Sequence, residues 1–278
     1  MKPLIKIISF FLLIIASNTI ALAKEWRGIT PLHSTRVEVE RLLGPPANRA
    51  PIGLYYSLPD EIVVIRIQSE SCDSFNGQLG FGWDAPRGTV TEIGIIPKRI
   101  LTKDRFVNAN DFKFEDGKAG FSYFTNDKDG LSVETYKGTV TLVTYSPPVT
   151  EASLHCPSVR NCCIDFFPRM DEYEALPFED EKGRLDNFVF QMREWLYRGA
   201  LVIYSKTDQK RNQLLKRAQR AKRYLVQTRD LEPQRLLIVD GGYKERSITE
   251  LHLYMIGGEI SRVTVFPERE PPPKSLKK

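Results

Sequence analysis

The side chains of this 278-residue chain whose types and spacing invite chemistry are four cysteines, three histidines and one dense cluster of cations. The cysteines are Cys72, Cys156, Cys162 and Cys163. An even number suits two disulfides in an oxidising compartment. Adjacent Cys162 and Cys163 make poor partners because a vicinal bridge strains the backbone, so Cys72 is expected to reach one of the other three. The three pairings that four cysteines allow stay open. Zinc is the rival reading, since His155 stands beside Cys156 and near Cys162 and Cys163. That set lacks the Cys-x-x-Cys spacing usual for zinc. Free buried thiols are the third alternative. The histidines, His33, His155 and His252, fall in separate segments. No Gly-x-Ser-x-Gly elbow, His-Glu-x-x-His pair or phosphate-cradling loop accompanies them. The expectation is therefore no catalytic residue, no metal and no cofactor.

The cations are Lys206, Lys210, Arg211, Lys216, Arg217, Arg220, Lys222 and Arg223, opposed within their stretch by Asp208 alone. On a helix they form a basic face, marked by Lys210, Arg211, Arg220 and Arg223. Such a face is a solvated surface, a contact for an anionic polymer, lipid or acidic partner, or the target of the chain's own acidic run. That run is Asp171, Glu172, Glu174, Glu179, Asp180 and Glu181. Asp240-Gly241-Gly242-Tyr243 ends a strand pattern and is expected as a turn. The alternative is a ligand rim, with Arg246 and Glu250. The tryptophans Trp26, Trp83 and Trp195 are expected as core or sheet-edge anchors.

The elements that must position these groups begin behind an export leader. Lys2 and Lys6 precede an apolar run from Ile7 to Ala16, and Ala21-Leu22-Ala23 offers small residues for a signal peptidase, with the cut after Ala23. An uncleaved anchor and a buried helix are the alternatives. Cleavage leaves 255 residues with net charge +3, because Lys2 and Lys6 account for two of the five excess charges. So small an excess, on an exported chain, points away from nucleic acid. No second apolar stretch approaches membrane length. Periplasmic or secreted localisation follows.

Residues 24–165 are expected to form a strand-rich α+β domain. Thr35, Glu38 and Gly44-Pro45 predict one short helix with a capping box and a glycine stop. Its Leu42 and Leu43 are expected to dock on a sheet. Branched runs at 61–67 and 89–96, a hairpin about Asp116-Gly117, and strands at 131–136 and 140–143 predict a mostly antiparallel sheet with one wet face. An acidic linker is placed at 166–183. From 184 to 267 the period changes. A helix from about Asp186, closed by Gly199, leads to strand 200–204, a basic helix 209–228, and strands 235–239 and 248–254. A further strand is expected at 261–265, and 268–278 as a disordered tail. The fold class is α+β, an antiparallel sheet domain followed by a small two-layer α/β sandwich.

Strand 200–204, Thr207-Asp208, Asn212, Arg217-Ala218, Tyr224-Leu225 and Arg235-Leu236-Leu237-Ile238 give the region 184–255 a resemblance to the OmpA-like C-terminal domain family. The resemblance implies peptidoglycan as the ligand. Asp208 would take the amino group of diaminopimelate and Arg217 its carboxylate, for which a guanidinium fork is suited. The chain departs from the family pattern at Ser205-Lys206, at Leu215-Lys216, and in the shorter span from Asp208 to Arg217. Thr35 to Pro46 resembles the small outer-membrane-assembly fold of the BamE and SmpA type. The leading expectation is an exported non-enzymatic envelope protein that binds peptidoglycan or another anionic envelope polymer, or an envelope protein partner. The alternatives are an interaction scaffold with a degenerate OmpA-like half, and a hydrolase whose site is assembled across both halves.

Overall fold

The computed structural model describes residues 23–50, 53–68, 83–108, 110–154, 156, 169–194 and 197–254. The segment expected as a leader, apart from its last residue Ala23, the strand expected at 261–265, the tail expected at 268–278, Trp195, His155, Cys72, Cys162 and Cys163 lie outside the described residues. Cys156 is disulfide-bonded.

The protein is α+β, with a large antiparallel sheet followed by a smaller mixed sheet and its helices. The first element is α1 (Arg36–Leu43), built as local chemistry dictates. Thr35 Oγ1 accepts from the Glu38 backbone N–H, and the Glu38 carboxylate accepts from the Thr35 N–H at 2.7 Å. Gly44 ends the helix at φ 80°, a conformation that side chains with a Cβ resist. Leu43 packs on the core, whereas Leu42 stays partly exposed, so only one of the two leucines docks. Thr35→Ala should cost about 1 kcal/mol of stability, as lost N-caps do. Urea unfolding would measure it, and an unchanged midpoint would show that α1 is held by packing alone.

Eight strands follow: β1 (Asn48–Ala50), β2 (Gly53–Ser57), β3 (Glu61–Ile67), β4 (Val90–Pro97), β5 (Lys113–Asp116), β6 (Phe121–Asn126), β7 (Leu131–Tyr136) and β8 (Thr139–Tyr145). Their order in the sheet is β1-β2-β3-β4-β8-β7-β6-β5, antiparallel throughout. The β5–β6 connection is longer than a two-residue Asp-Gly turn. Residues 117–120 make it, closed by the Gly117 N–H on Phe121 O.

The second sheet holds β9 (Arg169–Tyr173), β10 (Arg198–Ser205), β11 (Leu236–Tyr243) and β12 (Ile248–Tyr254), in the order β11-β10-β12-β9. Helices α2 (Phe178–Glu194) and α3 (Asp208–Thr228) cover one of its faces. The unit β10–α3–β11 is a parallel crossover. The stretch expected as an acidic linker, 166–183, contains β9 and the first turn of α2. Glu179, Asp180 and Glu181 sit in that first turn, where the helix dipole favours negative charge. Gly199 is in β10 and does not cap α2. A Cβ there would lie 2.6 Å from the Phe188 ring and 2.8 Å from Met192 Sδ, so glycine lets strand and helix approach closely. Strand β11 also runs on through Asp240-Gly241-Gly242-Tyr243, where a turn was expected, with a register shift against β10.

Four layers result. One face of the large sheet carries Trp26, Ile29 and Val39 of the N-terminal segment and α1. Its other face packs on the small sheet, with Phe121 and Tyr123 against Ala200, Val202, Tyr204 and Tyr254. The small sheet in turn buries Leu201, Ile203, Leu251 and Leu253 beneath α2 and α3. The wet face expected for the first sheet is thus covered across its centre, and every residue of β4 is buried. Alternation in the strands reports two different apolar partners, one on each side.

Between the sheets lie charges. Arg198, fully buried, donates to Glu134 Oε1 of β7 at 3.0 Å, with its guanidinium 5.0 Å from the Tyr254 ring centre. Arg66 of β3 and Glu92 of β4 pair at 3.3 Å. Further ties join the sheets at their margin, where Tyr55 donates to Glu232 and Gln234 to the Lys98 carbonyl.

Candidate functional site

Helix α3 carries most of the residues singled out above, and the fold sorts them. Thr207 caps its N-terminus, accepting from the Lys210 N–H. Its buried stripe is Leu214, Ala218, Ala221 and Leu225, at spacings of four, three and four. These side chains face β10 and α2, so the opposite side faces outward.

Asp208 and Arg217 are not brought together. They stand nine residues apart on one straight element, about two and a half turns and about 13 Å along the axis, which puts them on opposite sides. Asp208 accepts from the Tyr243 hydroxyl at the end of β11. Arg217 donates to the Leu176 carbonyl at 2.8 Å and lies 3.9 Å from Glu181. A single ligand carrying both a carboxylate and an ammonium would have to reach around the helix to meet both.

The basic face is also divided. Arg211 pairs with Asp240 and contacts the Tyr243 hydroxyl at 3.3 Å. Arg220 pairs with Glu181 at 2.9 Å and lies over the Phe178 ring. Glu181, almost wholly buried, also accepts from Tyr173. The Tyr173 hydroxyl is pushed up, first by burial and then by that carboxylate. Arg229, just past α3, holds Asp186 in a two-pronged pair and draws its carboxyl down, with help from Tyr224. Of the acidic run, Glu181 reaches the helix, at Arg220 and Arg217, whereas Asp171, Glu174 and Glu179 pair with Arg184, Arg246 and Lys182. Lys206, Lys210, Lys216 and Arg223 remain exposed, with no ion pair among the described residues. From Gln209 to Arg229 the chain has no carboxylate, and its exposed neighbours are the amides Gln209, Asn212, Gln213, Gln219 and Gln227.

Beside this face, between α3 and β11, runs a groove of about 440 Å³. Val226, Pro233 and Ile238 form its apolar lining, and Lys222 and Arg223 its cationic one. Periodicity marked the helix, but the groove needs β11 beside it and no local pattern announced it.

Two other groups of titratable side chains lie elsewhere. His252 is buried on β12 and bonded to Glu250 at 2.8 Å. Glu250 also accepts from Lys244 at 2.9 Å. Burial alone would raise the Glu250 carboxyl, but the bonds from His252 and Lys244 outweigh it and hold it at about 2. Lys244 in turn lies 3.9 Å from the Tyr204 ring centre. Arg246, the other residue of the supposed ligand rim, pairs instead with Glu174 at 3.3 Å. His33 bonds Glu151 at 3.0 Å. Trp26 is buried in the core as expected, and Trp83 exchanges backbone bonds with the Gln68 side chain.

No helix of the described residues is long and apolar enough to cross a membrane. No family model, no curated protein and no solved structure matches the chain.

Proposed function

We propose that the protein is an exported, non-enzymatic binding protein of the cell envelope that holds an anionic envelope polymer, foremost peptidoglycan, along the outward side of α3. One observation carries this reading. That side combines Lys216 and Arg223, which have no ion pair among the described residues, with a row of side-chain amides and no carboxylate over about 30 Å of helix, and Lys210 adds an exposed charge in the first turn. Cations attract the polymer's charge, and amides can both donate to and accept from sugar hydroxyl and acyl groups. The leader, the cysteine count and the OmpA-like resemblance of 184–255 support the envelope setting. The non-enzymatic part rests on the separation of the three histidines along the chain.

The divergence of Asp208 and Arg217 favours an extended surface over the paired diaminopimelate site that the resemblance implies. Co-sedimentation of the mature chain with diaminopimelate-type peptidoglycan, at low and high salt, separates the two. Lys210→Glu combined with Lys216→Glu should weaken retention at low salt by about tenfold or more, since surface contacts of this kind are worth up to about 1 kcal/mol each and each reversal adds repulsion. Arg217→Ala should leave it unchanged. Salt-resistant retention that Arg217→Ala abolishes would restore the paired site. No retention at low salt would sink polymer binding altogether.

A further inference from the structure

Strand β11 is an edge of the small sheet, yet its first outward carbonyls are not idle. Lys222 Nζ donates to Leu236 O at 2.6 Å, and the Tyr136 hydroxyl donates to Ile238 O at 3.2 Å. Each carbonyl accepts from a side chain outside the small sheet, and, being two residues apart, the two leave the strand on the same side. Side chains from α3 and β7 occupy the places that the N–H groups of a neighbouring strand would take. Edge strands are commonly protected this way, and such protection is exchangeable because it costs only side-chain bonds to remove.

The groove beside this edge has the dimensions and chemistry of a ligand site. At about 440 Å³ it falls within the usual range for pockets of roughly 300–1,000 Å³. Val226, Pro233 and Ile238 offer an apolar surface. Lys222 and Arg223 bring two positive charges, and no carboxylate lines the groove among the described residues. Burial depresses the Lys222 ammonium, and no acid offsets that cost. An arriving anion would be met by two cations that have no acidic partner among the described residues.

We propose that the groove between α3 and β11 is a peptide-binding site. It takes an extended segment ending in, or bearing, a carboxylate, adds it as a strand along Leu236 to Ile238, seats an apolar side chain on Val226, Pro233 and Ile238, and holds the carboxylate at Lys222 and Arg223. Main-chain bonds to the edge supply affinity for any extended chain, and the apolar and cationic ends set direction and selectivity. The site meets the proposed polymer surface at Arg223 and is distinguished from it by Lys222, Pro233 and Ile238, while Lys210 and Lys216 take no part in it.

The test uses the isotope-labelled mature chain and an acetylated tetrapeptide of alternating threonine and valine with a free C-terminal carboxylate, added to millimolar concentration. Amide signals of Val226, Leu236 and Ile238 should shift together. Amidation of the peptide's C-terminus should weaken binding by about tenfold, the loss of one charge-assisted contact. N-methylation of alternate peptide nitrogens should abolish binding, because it removes the donors to the edge carbonyls. Arg223→Ala should reproduce the effect of amidation, while Lys210→Glu with Lys216→Glu should leave peptide binding intact. Shifts confined to other surfaces, equal binding of all three peptides, or no shift at millimolar peptide would each overturn the proposal. Loss of polymer retention with peptide shifts preserved, or the reverse, tells failure of one site from failure of the other.

Discussion

Arg198→Met should destabilise the protein by about 3–5 kcal/mol, the usual cost of removing one partner from a buried ion pair. Arg198 opens β10 in the small sheet, and Glu134 lies on β7 of the large one, 64 residues earlier. Neither side chain reaches solvent appreciably. With Arg198 gone, the Glu134 carboxylate keeps its bond from Thr141 but has no counter-charge, and the low-dielectric layer between the sheets cannot solvate it. Glu134→Leu should cost a similar amount by leaving the guanidinium stranded. The double variant, Arg198→Met with Glu134→Leu, should recover most of the loss. The pair is incompletely satisfied, because Arg198 Nε and Nη2 and Glu134 Oε2 have no hydrogen-bond partner among the described residues. Apolar replacement of such a pair is often neutral or stabilising. A urea-unfolding cycle over the four proteins measures the coupling. Single variants costing under about 1 kcal/mol, or costs that simply add, would show that the sheets are not joined electrostatically there.

Stability should fall by about 3 kcal/mol as pH rises from about 4.5 to about 7, through Glu92. Burial raises its carboxyl from 4.5 to about 7, against the opposing pull of Arg66. Over this window the unfolded chain has already released the proton while the folded chain still holds it. Folding therefore binds protons, and the stability contributed by Glu92 is complete below 4.5 and lost as pH climbs through 7. At about 1.36 kcal/mol per unit, the displacement gives the stated order of magnitude. Glu250 acts with the opposite sign. Held down from 4.5 to about 2, its carboxylate contributes stability above 4.5 that is lost as pH falls through 2. From these two groups alone the optimum lies near pH 4.5. Denaturant unfolding at intervals from pH 4 to 8 follows the decline, and Glu92→Gln should flatten it between 4.5 and 7. A wild-type profile without that decline, or a glutamine variant that keeps it, would remove Glu92 as its source.

Much of the scaffold could be read from local residues. The helix at 36–43 was legible because Thr35, Glu38 and Gly44 act within one or two turns of each other. Strands β3 and β4 were legible from their branched side chains, and α3 from its apolar stripe. Elements whose residues serve distant partners were missed. Strand β9, Arg-Met-Asp-Glu-Tyr, has the composition of a linker, and becomes a strand because β12 offers an open edge. The acidic start of α2 was read as part of a linker, yet Glu181 is buried by Tyr173 and Arg220 from two other elements. Asp240 to Tyr243 looked like a turn, but pairing with β10 carries the strand onward.

The sequence by itself determined the cap and stop of α1, the strands with branched or alternating side chains, and that one helix would be strongly basic. These properties depend on backbone geometry and on neighbours within a few residues. Only the tertiary structure decided which charges were left to act. Arg211, Arg217 and Arg220 are taken up by Asp240, the Leu176 carbonyl and Glu181, while Lys210, Lys216 and Arg223 stay exposed. It also turned a sheet expected to face water into the middle of four layers, placing Glu92, Glu134 and Arg198 where no solvent can screen them. A side chain's type states its charge, but the cost and use of that charge depend on what packs against it. That is fixed by contacts between segments far apart in the chain.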